Sequence, residues 1–222
     1  MTVAEQESTS EEFDPHAGRA LDRLINFTDA IVAVAITVLV LPLADLAISP
    51  QETSVWAVLG DHSGQIITFL FTFFVVAVMW KLHNRIFNQL VTYDMPIFWL
   101  NLVWVAVIVF LPVSSTLYGE GRDGGTSWSA GNLNGASLLY WLSLASISGI
   151  GTIIGWHVRR NPQLMDPRVR AHAEASDWRA RYRGIAYSSY FILIGVVSTF
   201  APEVAAWMPI GIIPLGRVMR AD

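Results

Sequence analysis

The 222-residue chain contains no cysteine. That excludes disulfides, a thiolate nucleophile and any cysteine-ligated metal site, and leaves the redox compartment unread. Charge is scarce too: 14% of residues are Asp, Glu, Lys or Arg, against 53% hydrophobic, at mean hydropathy +0.46. Such a chain is too apolar for an ordinary soluble domain, and its 9 Trp and 11 Phe make it too aromatic for a disordered one. The net charge of -4 is mild, and no Lys/Arg block carries the interleaved aromatics of a nucleic-acid face.

Several chemistries are missing as motifs. There is no Gly-rich phosphate loop, no HExxH and no GxSxG elbow, and His16, His62, His83, His157 and His172 are scattered without ligand spacing. Neither an enzyme nor a bound cofactor is expected. No TVGYG-like loop occurs, which rules out a conventional filter of loop carbonyls. A chain of intramembrane carboxylates is also lacking, because Asp29 is nearly the only acid inside an apolar segment and Asp45 and Asp94 sit at segment edges. No inverted repeat points to a secondary transporter.

What is present is a series of six apolar segments, read against the requirement of about 20 apolar residues per crossing. They run over 24–43, 65–82, 96–117, 133–156, 185–200 and 204–218. The last is crowded by Pro202, Pro209, Gly211 and Pro214, so a tilted or broken hairpin is expected there. The fold class expected is all-α, a polytopic membrane protein with six transmembrane helices. With the N-terminus in the cytoplasm, 13 of the 14 Lys and Arg residues fall inside and only Arg122 outside, which puts both termini in the cytoplasm. Residues 1–18, acidic and without a basic residue before Arg19, do not fit a cleaved signal peptide and read as a disordered cytoplasmic tail. Residues 19–222 form the membrane unit.

Between the segments, 118–135 is a Gly/Ser/Asn-rich external loop, to which no function is assigned. The inside loop 156–184 carries seven arginines, and its Ala-rich centre suits a surface helix facing lipid headgroups.

The first segment is the most informative. Arg23, Asn26, Phe27, Thr28 and Asp29 stand directly before the uncharged run Ala30 to Leu41. At about 100° per residue, Ala30, Val34, Thr37 and Leu41 share one narrow stripe, while Asp29 lies about 140° from Val34. Angle alone leaves open whether that stripe meets lipid, another helix or a pore. The second segment ends in Trp80, His83 and Asn84 at i, i+3 and i+4. A hydrogen bond between Asp29 and His83 is expected, as part of a structural network.

These residues resemble a known family. RLINFTDAIVAVAITVLVL looks like the signature of the transmembrane protein 175 family of potassium channels, in which R-x-x-x-F-S-D precedes an aliphatic run with a threonine eight residues after the aspartate. Arg23, Phe27, Thr28, Asp29 and Thr37 occupy those positions. Trp80 three before His83, and NLVWVAVIVFLPVSS from Asn101 to Ser115, resemble two further motifs of the same family.

The resemblance implies a homotetramer in the plasma membrane, its first helices surrounding a central pore that passes K+. The implied pore residues are Ala30, Val34 as the constriction, Thr37 as a hydroxyl layer where K+ passes, and Leu41 as a further apolar ring. Arg23, Phe27, Thr28, Asp29, Trp80, His83 and Asn84 become the structural network, with Arg23 expected to pair with Asp22 or Asp29 of its own or a neighbouring subunit. The chain departs from the pattern in having Thr28 for serine and Val34 for a larger aliphatic, which bears on selectivity. A proton-permeable or weakly selective channel on the same fold, and a non-conducting scaffold, are the alternatives.

Overall fold

The computed structural model describes residues 15–44, 54–122, 130–174 and 178–218. Among them the chain is helical apart from turns and one isolated antiparallel bridge between Leu90 and Met165. Most of the acidic N-terminal stretch and the centre of the 118–135 loop lie outside the described residues.

Helix α1 (Pro15–Val38) buries Leu21, Leu24, Thr28, Val32 and Ala35, followed by Leu39, at steps of three and four. That spacing draws one stripe along a 3.6-residue helix. The stripe packs on α5 (Met95–Arg122) and α4 (Ser63–Phe87). Helix α5 is the hub, because it also lies against α6 (Ala130–Arg160), which packs in turn along α8 (Trp178–Phe200). The α6–α8 pair approaches closely: a Cβ on Gly184 would collide with the side chain of Thr152. Small residues matter for this in a membrane, where van der Waals contact rather than release of water holds helices together.

Two packed clusters follow. The larger joins Val32 and Ala35 to Val76, Trp104, Ile108, Tyr140, Trp141 and Phe191. The second, at one end, joins Leu21 and Leu24 of α1 to Phe87, Leu90, Ile97, Ile154, Val158 and Met165. There the 88–94 connection is tied to the chain after α6 by Val91 N–H to Leu164 O and Asp166 N–H to Gln89 O, both 2.9 Å. The start of α1, the end of α4, the start of α5 and the end of α6 therefore meet at one end of the bundle. Arg19, Arg23, Lys81, Arg85, Arg159 and Arg160 belong to those same helix ends.

Five helical stretches among the described residues are long and apolar enough to cross a membrane: Gly18–Ala44, Ser63–Phe87, Met95–Glu120, Gly135–Arg160 and Tyr182–Phe200. The first includes α1 and the short α2 (Leu41–Ala44). The sixth expected segment is no continuous helix. It is split into α9 (Pro202–Trp207), a 3₁₀ turn (Met208–Gly211) and α10 (Ile212–Val218), because prolines withhold the N–H groups a continuous ladder needs. These pieces return along α8. The Tyr190 hydroxyl donates to the Met208 carbonyl at 2.7 Å and leaves no room for a Cβ at Gly211, while Gly216 lies beside the Tyr187 hydroxyl.

Helices reach further into the loops than expected. Helix α5 continues to Arg122 and α6 begins at Ala130, while α3 (Val55–Asp61) starts behind a Ser54 N-cap. The surface helix expected in the basic loop is α7 (Pro167–Glu174).

Candidate ion pathway and the network behind it

Helix α1 has two contrasting sides. Val32 is 2% exposed and Ala35 6%, whereas Phe27 is 50%, Val34 62% and Leu41 54% exposed, and Arg23, Ala30 and Thr37 are exposed with them. The stripe drawn from helical angles is thus the side of α1 that its own chain leaves uncovered. Thr37 donates its hydroxyl to the Val34 carbonyl at 2.7 Å. With its hydrogen so engaged, the oxygen presents lone pairs outward and is an acceptor only.

The opposite side is locked by two hydrogen-bonded arms. In the first, Trp80 Nε1 donates to Asp29 Oδ1 at 2.7 Å. In the second, the fully buried Thr28 hydroxyl donates to the Leu24 carbonyl at 2.9 Å and accepts from Asn101 Nδ2 at 2.8 Å. The remaining amide atom, Asn101 Oδ1, lies 2.9 Å from His83 Nε2. An amide oxygen only accepts, so His83 donates through Nε2. The imidazole lies between the rings of Phe87 and Trp104, with centroids 4.3 and 4.1 Å away. Helices α1, α4 and α5 are joined by this Thr28–Asn101–His83 relay, deep in an apolar setting where an unpaired polar group would be costly.

Several expectations are corrected here. Asp29 bonds Trp80, not His83, because α5 inserts Asn101 between Thr28 and His83, and Asp29 is turned a further 100° toward the previous turn of α4. Asn84 is half-buried and makes no side-chain hydrogen bond among the described residues, lying 100° round α4 from His83. Phe27 belongs to the uncovered stripe, not to the network. Within a single copy the Arg23 guanidinium has no carboxylate within 4.0 Å among the described residues, since Asp22 and Asp29 project from other sides of the helix, so only the pairing inside one subunit is corrected. Asn101 is the member that residue-by-residue reading passed over. An amide inside a run of apolar residues was its signal, because such a group needs partners in a membrane.

A second polar contact closes the bundle end. His157 Nε2 lies 2.7 Å from Asp94 Oδ2, and Asp94 Oδ1 accepts the Ile97 N–H at 3.0 Å, capping α5. No group of three His, Cys, Asp or Glu suited to hold a metal occurs among the described residues.

Residues 23–112 match the sequence model of the family described as endosomal/lysosomal potassium channel TMEM175. A potassium channel from Streptomyces collinus is 26% identical over 183 residues, covering 81% of this chain and 84% of that protein. The human endosomal/lysosomal proton channel TMEM175 is 26% identical over 175 residues, which is 78% of this chain but 33% of the human protein. This chain therefore spans about a third of the human relative's length. Among solved structures, the crystal structure of a lysosomal potassium-selective channel TMEM175 homolog from Chamaesiphon minutus superposes with a TM-score of 0.71 at 18% identity, covering 91% of this chain and all of that one. The motif-bearing first three crossing helices and the sequence matches liken the chain to the TMEM175 family, and the solved homolog shares its all-helical fold.

Proposed function

We propose that four copies of this chain form a K+ channel in the plasma membrane, with the α1 helices around a central pore. The observation that carries this reading is the two-sidedness of α1. One side is fixed to α4 and α5 through Thr28, Asp29 and packed aliphatics, while Ala30, Val34, Thr37 and Leu41 stay uncovered along the whole crossing. The Streptomyces relative that this chain nearly spans is named a potassium channel, which supports K+ as the permeant ion.

In this mechanism the Val34 and Leu41 rings make an apolar constriction that conducts only when wide enough to stay wet. Between them Thr37 offers a hydroxyl oxygen whose hydrogen is already engaged by the Val34 carbonyl. K+ passes at Thr37, and sparse oxygen coordination gives moderate selectivity. Arg23 stands at the inner mouth, where it pairs with a carboxylate of a neighbouring copy. The basic helix ends lie in the cytoplasm by the positive-inside rule. The broken α9–α10 return along α8 serves as the sixth crossing and brings the C-terminus to the same side.

A proton-conducting reading has support in the names of the vertebrate relatives, the human protein among them. Reversal potentials of purified protein in liposomes under crossed K+, Na+ and H+ gradients separate the two. A potential that follows the K+ gradient upholds the proposal, one that follows H+ favours the second reading, and absence of flux reduces the protein to a scaffold.

A further inference from the structure

Helix α1 ends at Val38, and the chain turns before α2 resumes at Leu41 with Pro42 as its second residue. The backbone ladder shows how the break is made. Leu39 N–H still reaches the Ala35 carbonyl at 3.3 Å, but Val40 N–H bonds the Thr37 carbonyl at 3.3 Å, a step of three. Beyond the turn, Leu43 and Ala44 both donate to the Val40 carbonyl, at 3.0 and 3.2 Å.

The Ile36 and Leu39 carbonyls accept no hydrogen bond in this pattern, and neither does that of Val38. Its helical donor would be residue 42, and proline has no N–H to give. No other hydrogen bond to it is made among the described residues. Yet the break lies inside the crossing Gly18–Ala44. A carbonyl without a donor is tolerated at that depth only where it is buried in protein or lines water. Val38 is 37% exposed, and four residues after Val34 it lies about 40° round the helix from it, beside the exposed Thr37. Helix carbonyls point toward the C-terminal end, here the end that also carries the negative pole of the α1 dipole.

We propose that the Val38 carbonyl, freed by Pro42, is a second oxygen ligand for a monovalent cation, so that each subunit offers a Thr37 hydroxyl and a Val38 carbonyl between the apolar rings of Val34 and Leu41. The inference rests on the pore reading above and deepens it. The collar explains why the helix is broken at this level: an unbroken α1 would consume the carbonyl in its own ladder. It also adds a dipolar ligand where the side chains alone give one hydroxyl per subunit, and carbonyl oxygens in number and field favour K+ over the more tightly hydrated Na+.

The test is the K+/Na+ permeability ratio of the purified protein in liposomes, wild type against Pro42→Ala. Alanine restores the N–H that bonds the Val38 carbonyl, so the ratio is expected to fall about threefold or more while assembly is retained. An unchanged ratio in assembled Pro42→Ala overturns the collar. Should that variant fail to assemble, an ester in place of the Val38–Leu39 amide weakens the carbonyl in place, and the same ratio is read with the same two outcomes. Wild-type protein that passes no K+ at all sinks the pore reading itself, so the two failures are distinguishable.

Discussion

Trp80 donates its indole N–H to Asp29 across 2.7 Å, joining α4 to the side of α1 that faces away from Val34. The acceptor is a carboxylate in a helix otherwise free of charge from Ala30 to Val38, and a hydrogen bond to a charged group contributes roughly 1.5–3 kcal/mol. Trp80→Phe keeps an aromatic ring at the position and deletes the donor, so it is expected to lower thermal stability and the yield of assembled protein. Asp29→Asn keeps an acceptor without the charge and should lower yield more than it alters ion preference. Size-exclusion profiles of heated, detergent-solubilised variants check both. Wild-type yield and melting in either variant would remove the bond from the list of what holds α1 in place.

Asn101 is the joint of the three-helix relay, and its loss strands two buried partners at once. Asn101→Leu leaves Thr28 without its incoming N–H and His83 Nε2 without an acceptor, each costing about 1–3 kcal/mol. Combining it with His83→Leu removes one of those stranded groups. The double variant should therefore melt at a higher temperature than the sum of the single changes predicts, a coupling expected of directly bonded residues. Strict additivity would mean that the 2.9 Å contact carries little energy.

The parts of this architecture that were legible in sequence are those written by periodicity. Ala30, Val34, Thr37 and Leu41 fall on one stripe by arithmetic, and the structure leaves that stripe exposed, because the residues at the alternate steps of three and four are the ones that pack. The five long crossings were legible for the same reason. Partnership was not: Asp29 and His83 share a depth, but depth does not say that α5 stands between them, and only the packing of a third helix assigns Asn101. The last segment resisted reading because its prolines cut the helix while its hydropathy stays that of a span. Pro42, near the end of the first segment, was hidden by the same continuity of apolar residues.

Between the start of α5 and the end of α6, the Asp94–His157 contact has a pH signature. Burial pushes the Asp94 carboxyl up, but the His157 ring at 2.7 Å, the Ile97 N–H and the charge of His157 outweigh it and hold the group below the usual carboxylate value. A carboxylate depressed in the folded state adds stability above its unfolded pKa, about 3.9, and loses it as pH falls through the folded value. The stability lost in Asp94→Asn should therefore persist down to about pH 4 and shrink only on further acidification. Melting temperatures of wild type and variant across an acid series report this. A difference that had already vanished at pH 5 would show that the carboxylate is not held by these partners.

Val34 and Leu41 carry the most direct test of the conduction path. Each is an exposed apolar side chain, Val34 on the uncovered side of α1 and Leu41 at the start of α2, so replacement by asparagine adds a polar group without touching the packed core. In the dewetting view, a ring of amides keeps water at a constriction that a ring of aliphatics expels. Val34→Asn and Leu41→Asn are each expected to raise K+ flux into liposomes or to loosen its preference over Na+, with assembly unchanged. The larger effect belongs to whichever ring is narrower. Because valine is short, Leu41→Asn is expected to match or exceed Val34→Asn, and unchanged flux and selectivity in both would place the ion path away from α1.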